Sequence, residues 1–453
     1  ELTLERDGVD GSSLYLYGEG WNFGEVANNA LFTQATQGQL DGTQIGAFND
    51  RLRDAVHGGG PFDADHRVFQ GFGSGAVTDP NGLDTRGAEE QLADLMHRTD
   101  LVKLGVAGNL KDYALTTYDG SVKLGSQIDY NSLSAGYASD PAESVNYVDA
   151  HDNETLFDLL TYKLPSSTPM SDRIRMNTVS LATVALGQSP SFWAAGTERL
   201  RSKSLDRDSY NSGDHFNAID WTGSDNGFGH GLPVASTNQE QWPIMRPLLE
   251  DPSLKPGADD IAAAKAQALD LLRLRKSTPL FSLGSTRLIK EKVSFPNSGP
   301  DQAPGTFLML IDDNAPSGAS TDAGNRAVTS VDPNLNGVLV VFNASKEPLT
   351  QAVDGQAGRH FVLSPVQASG SDPVVKTTTW DDATGTVTVP ARTVAVLVDE
   401  ANAPGPIAPL GVSYEPVAVT AGDEASATPI VRDESGKAVT LPEGTSFTLG
   451  ESA

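Results

Sequence analysis

The sequence predicts an α/β fold, a series of parallel βα units followed by an antiparallel β-sandwich. Over residues 14–276 short apolar runs, polar tips and helical stretches alternate, which is the order parallel βα units require. After about residue 285 the composition changes to β-rich runs separated by Gly, Pro, Asn and Asp turns, the signature of a sandwich. A third observation limits the first. Only three or four βα units can be counted, whereas a closed barrel needs eight. The first half of such a barrel is therefore absent from the sequence, which reads as a fragment or processed product.

The chain opens on a helix-like "ELTLERDG", then "LYLY" at residues 14–17 reads as a strand ending at Gly18-Glu19. A Gly- and Asn-rich excursion follows, with "GTQIGAFNDRLRDAVHGGGPFD" at residues 42–63. Leu92, Leu95, Met96 and Leu101 recur near helical spacing. "VNYVDAHDNETLFDLLTY" reads as a strand at 145–149, a polar tip, and a helix starting near Glu154. "RMNTVSLATVALG" is a mostly apolar helix with Gly187 as its cap. "SPSFWAAGTE" reads as another buried strand. Residues 259–276 form a helix, with Asp259 and Asp260 favouring its N-terminus and Arg273, Arg275 and Lys276 its C-terminus. "GTFLMLIDD", "GVLVVFNAS", "RHFVLSP" and "GTVTVPARTVAVLVDE" supply the sandwich strands. The expected division is therefore 1–284, 285–400, a Pro-rich linker at 401–409, and the start of a further β module at 410–453.

With 453 residues, 38% of them hydrophobic and 20% charged, the chain can bury two or three cores. Its 59 Asp and Glu against 32 Lys and Arg give a net charge of −27, which repels phosphate backbones and anionic membranes. Nucleic acid is a poor partner, and a neutral polymer such as a polysaccharide meets no such repulsion; acidity that serves solubility alone would look the same. The absence of cysteine removes disulfides, thiolate metal sites and cysteine nucleophiles. No apolar run is long enough to span a bilayer as a helix.

Two carboxylates stand at predicted strand tips: Glu19 in "GEGW" and Asp152 in "AHDNE", beside His151 and Asn153. A pair of carboxyl groups, one protonated and one ionised, is the working pattern of glycoside hydrolysis. Gly18 and Gly20 allow close backbone approach, and Trp21 offers a flat face to a pyranose. Solvated loop charges would look the same, and His151 could simply cap the following helix. Trp193 and Trp221 read as core aromatics, and Arg51 and Arg53 as partners in internal ion pairs. "GFGSG" and "GFGHG" lack the lysine and spacing of phosphate loops, so they read as turns. The seven histidines show no HExxH spacing, and there is no G-x-S-x-G elbow.

"YLYGEGWNFGEVA", "GTQIGAFNDRLRDAVHGGGPFD", "YVDAHDNETLFD", "RSKSLDRDSYNSGDHFNAIDW" and "LLRLRKSTPLFSLG" resemble, in order and spacing over about residues 1–400, the C-terminal part of pullulanases and limit dextrinases. These are the α-1,6 debranching enzymes of the α-amylase superfamily. The resemblance implies the C-terminal half of a (β/α)₈ TIM barrel from strand 5 onward, then a β-sandwich, and a retaining mechanism on α-glucans with no cofactor. It implies that Glu19 is the general acid/base and Asp152 the carboxylate that binds sugar hydroxyls and stabilises the oxocarbenium-like transition state. It implies sugar contacts at His151, Asn153 and Trp21, and at Asp206, Arg207, Tyr210 and Asn211 in "SLDRDSYNSGD". Several relatives bind calcium, though no loop here has diagnostic ligand spacing. His215 stands where many members carry an aromatic residue. The nucleophilic aspartate of the family lies in a G-F-R-F-D-like motif, and none occurs in these 453 residues. The expectation is a chain that does not turn over alone. The competing readings are a non-catalytic α-glucan-binding surface protein and a related hydrolase acting on another bond. "PVAVTAGDEASATPIVRDESGKAVTLPEGTSF" resembles Rib-type immunoglobulin-like repeats, which implies secretion and cell-wall display in a Gram-positive bacterium.

Overall fold

The computed structural model describes residues 4–9, 11, 14–314, 330–401, 412–414 and 429–431. Three short strands, β1 (Tyr17–Gly18), β2 (Gly46–Phe48) and β3 (Ser144–Val145), lie side by side and parallel, with Tyr17 opposite Gly46 and Ala47 opposite Ser144. A parallel bridge from Asn146 to Ser191 adds a fourth segment, through Asn146 N–H to the Pro190 carbonyl (3.0 Å) and Phe192 N–H to the Asn146 carbonyl (2.9 Å). The four segments follow one another in chain order and point the same way, so the residues that leave them gather at one end of the sheet.

The sheet is shorter than the sequence suggests. Within the run 145–149, Val145 pairs with Phe48 and Asn146 forms one bridge, after which the chain leaves the sheet, and "SPSFW" contributes only that bridge. Side-chain packing compensates for the short ladders. Tyr17, Phe48, Tyr147 and Phe192 come one from each segment, and Phe48 lies 4.9 Å from Tyr147 and 5.0 Å from Phe192 between ring centroids, both edge-on. Phe48 also meets Tyr17 at 6.0 Å.

Five helices contribute side chains to one shared apolar core: α1 (Asp50–His57), α2 (Ala88–Val106), α3 (Leu156–Lys163), α4 (Met170–Ala185) and α5 (Ala258–Ser277). Their starts follow from local chemistry. Asn49 caps α1 by accepting from Leu52 N–H (3.3 Å), and Thr155 caps α3 by accepting from Asp158 N–H (3.2 Å). His151 therefore does not cap α3. At the head of α5 the Asp260 carboxylate accepts from Gly257 N–H at 2.9 Å. The α4 cap is Leu186 rather than Gly187.

Beyond α5 two antiparallel sheets face each other. The larger runs β8 (Phe361–Leu363), β11 (Thr393–Glu400), β6 (Leu335–Asn343), β5 (Thr306–Asp312), β4 (Val293–Ser294); the smaller runs β7 (Leu349–Ala352), β10 (Thr386–Val389), β9 (Thr379–Asp381). The strand period assigns alternate residues to alternate faces. Leu339 and Val341 of β6 meet Val387 and Val389 between the sheets. Val338, Val340 and Phe342 join the helical core with Val102, Val179 and Leu271. A sheet covered on both faces explains why "GVLVVF" is apolar without interruption.

Ion pairs reinforce this junction: the buried Lys292 with Asp313 (2.8 Å), and the partly buried pairs of Arg392 with Asp172 (2.9 Å) and Asp79 (2.8 Å) and of Arg175 with Asp372 (3.0 Å). Arg51 pairs with Asp50 and Arg53 with Asp54, inside the protein. Trp193 packs partly buried on the core, but Trp221 is 58% exposed, which corrects its reading as a core residue. Its ring is covered on one side by the Arg199 guanidinium, 5.4 Å from the centroid, so it has a partner without burial. The linker at 401–409 and the β module at 410–453 fall outside the described residues, apart from Ala401 and a two-stranded antiparallel pair, Val412–Tyr414 with Pro429–Val431. Among the described residues no helix is long and apolar enough to cross a membrane.

Candidate active site

The first strand tip is fixed by its own backbone. Gly20 has φ +76°, and a Cβ there would lie 2.6 Å from that of Ala47. Its carbonyl accepts from Gln37 N–H at 3.1 Å, and the Gln37 amide donates in turn to the Phe48 carbonyl (2.6 Å) and Asp50 (3.0 Å). The close approach that glycine permits at Gly20 is thus made to the protein itself, while Gly18 faces open space. Glu19, between them, is exposed, and Trp21 is half-buried.

The tip after β3 borders an open cleft of about 900 Å³, lined among others by Asp152, Asn153, Glu154, His66, Phe62 and Arg207. Arg207 Nε donates to Asn153 Oδ1 (3.3 Å), and the guanidinium lies 5.5 Å from the ring centroid of the exposed Phe62. Lys203 supports the same tip from beneath, donating to the carbonyls of Asn153 (2.8 Å) and His151 (3.4 Å). Asp152 and His151 are exposed and Asn153 half-buried.

The structure brings Asp152, Asn153 and Arg207 to one cleft, and it treats Asp206 differently. Asp206 is wholly buried, and its carboxylate accepts from Ser212 Oγ (2.6 Å), Asn238 Nδ2 (3.0 Å) and Asp208 N–H (3.1 Å). Those bonds hold the loop that presents Arg207. Tyr210, 86% exposed, and Asn211 sit on the next turn, Ser209–Asn211, and are not among the residues lining the cleft. His215 Nε2 is 2.8 Å from the His230 carbonyl, on the surface.

Two buried acids lie behind the tip. Asp149 accepts from Leu156 N–H (3.2 Å), and burial pushes its carboxyl up to about 6. Glu154 is 3.0 Å from His66 Nδ1; burial works to raise its pKa, but the imidazole bond and charge leave it below the usual carboxylate range. Among the described residues no group of three or more His, Cys, Asp or Glu is placed to hold a metal.

The family model for alpha-1,6-glucosidases, pullulanase-type, C-terminal, matches residues 223–400. The chain is 44% identical over 402 residues to pullulanase 1, chloroplastic, of Arabidopsis thaliana, covering 88% of the chain and 41% of that protein. It is 41% identical over 386 residues to a pullulanase of Klebsiella pneumoniae, covering 85% of the chain and 34% of that protein. The maltotriose complex of PulA from Klebsiella pneumoniae superposes with a TM-score of 0.77 at 42% identity, over 85% of this chain and 40% of that one. The chain belongs to the pullulanase family.

It spans less than half the length of these pullulanases. In pullulanase terms the described residues hold two of the strand tips expected to carry chemistry, with Glu19 on one and Asp152 on the other. Sequence reasoning missed His66, Phe62 and the side-chain role of Glu154. The available signal was Glu154 itself, a charge directly after "HDN" at a helix start that folding would bury. His66 lies 88 residues earlier in a Gly-rich loop, where nothing local marks its partner.

Proposed function

We propose that the protein carrying this sequence hydrolyses α-1,6-glucosidic linkages in pullulan, limit dextrins or amylopectin. The observation that carries this reading is the cleft at Asp152, at the same end of the parallel sheet as Glu19, in a chain of the pullulanase family. Glu19 protonates the glycosidic oxygen as the bond to the anomeric carbon breaks. A carboxylate nucleophile outside these 453 residues forms the glycosyl ester, and Glu19 then takes a proton from the water that cleaves it. Asp152 stabilises positive charge on the ring. His151, Asn153, Arg207 and Trp21 contact the sugar, with Tyr210 and Asn211 further out, and Asp206 fixes the Arg207 loop.

In this reading residues 1–284 are the second half of a (β/α)₈ barrel, supported by four chain-ordered parallel segments with helices between them. Residues 285–400 are the sandwich domain, 401–409 a linker and 410–453 a Rib-like module, whose resemblance supports secretion and cell-wall association. A polypeptide limited to residues 1–453 binds glucan without turnover, since no nucleophile motif is among them.

The test is pullulan hydrolysis by the full-length gene product, followed as maltotriose release. Glu19→Gln is expected to lower kcat by at least about 10² to 10⁴-fold while pullulan binding persists. Full activity in that variant would remove Glu19 from the chemistry. Binding with no release of reducing ends by the wild type would favour the glucan-binding surface protein.

A further inference from the structure

The segment between α1 and the turn at Phe72–Ser74 forms one wall of the cleft, contributing Phe62, Asp63, Ala64, Asp65 and His66. It has no helix or strand, and its internal backbone bonds are long: Asp63 N–H to Gly60 (3.3 Å) and Val68 N–H to Asp65 (3.4 Å). Side-chain bonds shape it locally, Gly60 N–H to Asp63 (2.9 Å) and Arg67 to Asp65 (2.8 Å), and tethers to the rest of the protein hold it in place. Buried Lys163, at the end of α3, donates to the carbonyls of Gly58 (3.0 Å) and Phe69 (2.5 Å) and so ties both feet together. Asn81 reaches the Arg67 carbonyl (2.7 Å) and Gln241 the Ala64 carbonyl (3.1 Å) from outside.

Two links join this wall to the tip that carries Asp152. At the exposed rim Arg207 spans Phe62 and Asn153. At the base His66 Nδ1 meets Glu154 Oε1 at 3.0 Å, with side chains 11% and 4% exposed. A contact to a carboxylate removed from water in this way is costly to break, because the surviving carboxylate stays buried without its hydrogen-bond donor. A wall already in its bound shape spares the ligand the cost of ordering it.

We propose that His66 and Glu154 are positioning residues that hold the 59–68 wall against the Asp152 tip in its glucan-binding shape. The proposal rests on the pullulanase reading above, and the pair acts on substrate affinity rather than on bond breaking.

The test compares His66→Ala and His66→Gln in the full-length protein; the glutamine amide can still donate to Glu154. Amide hydrogen exchange of residues 59–68 is measured without substrate, and KM and kcat are measured on pullulan. His66→Ala is expected to speed exchange within 59–68 and raise KM about 10-fold, with kcat within about 3-fold of wild type. His66→Gln is expected to restore both. Unchanged exchange, a fall in kcat at constant KM, failure of the glutamine to rescue, or faster exchange spreading through α3 and the core would each overturn it. If the wild type does not hydrolyse pullulan, the proposed activity fails, and the dissociation constant for maltotriose replaces KM. A constant unchanged by His66→Ala then overturns the clamp.

Discussion

Two apolar runs, "LYLY" before Glu19 and "VLVVF" in β6, look alike in sequence and have opposite fates. Val338 to Phe342 are all 0% exposed, whereas Leu14 is 49% and Leu16 61% exposed. β6 has a strand on each edge, a second sheet on one face and helices on the other. Among the described residues β1 pairs only with β2. Burial is thus decided by what stands opposite a strand, and the two regions are held by different forces. The sandwich side is stabilised by continuous packing, the strand-tip side by separate polar contacts.

The largest expected effect tests that division directly. Phe342 stacks on Phe307 at 4.3 Å between β5 and β6, and Phe342→Ala is expected to cost about 3–5 kcal/mol through lost contacts and a cavity. Leu16→Ala is expected to stay within about 0.5 kcal/mol in the 453-residue polypeptide. Urea midpoints at equal m-value read both. A large cost at Leu16 would break the comparison, since it requires that something covers β1 in the folded protein.

Buried carboxylates give a second contrast. Asp313, on the sandwich side, accepts from Lys292 (2.8 Å), Ser330 Oγ (2.6 Å) and the N–H groups of Val331 and Asp332 (both 2.8 Å). Burial works to raise its pKa, but these donors outweigh it and hold the carboxyl below its ordinary value. Asp149 has fewer donors, and burial wins, pushing it up to about 6. The signs are opposite. Asp313 adds stability above its unfolded pKa, and that contribution is lost as pH falls through the lower folded value. Folded Asp149 keeps its proton longer than the unfolded chain does, so its contribution declines as pH rises from about 4 to 6, by up to about 3 kcal/mol. Asp149→Asn is expected to remove that decline from a urea series between pH 4 and 7. A series left unchanged by the substitution would mean that Asp149 ionises normally.

The same division explains what could be read from the sequence. The long helices were legible, since the predicted 259–276 emerged as Ala258–Ser277, and so were the sandwich runs. The strands near the site were overextended, because 145–149 carries strand composition but leaves the sheet after Asn146 to form the tip. Within the candidate site, Asp152 and Asn153 stand out in the sequence as a polar strand tip, whereas Arg207 is singled out only by the family resemblance; the structure lines one cleft with all three. Asp206 was not distinguishable from a sugar ligand until Ser212 and Asn238 were seen to occupy its oxygens. His66 was invisible because its partner, Glu154, is set by the fold and not by the neighbouring sequence.

The smallest expected effect lies at the cap of α3. Thr155 Oγ1, two residues beyond Asn153, accepts from Asp158 N–H at 3.2 Å, while the Asp149 carboxylate takes the Leu156 N–H of the same turn at 3.2 Å. Losing the bond leaves one N–H of the first turn unpaired, so Thr155→Ala is expected to cost about 1 kcal/mol. The rest of α3 is packed, with Leu156 and Leu160 in the main core and Phe157 against Phe228. Packing therefore limits the damage to the first turn, and amide exchange should quicken at residues 154–158 while 159–163 keep their protection. Loss of protection along the whole helix would instead mean that the polar tip, and not the core beneath it, holds α3 in place.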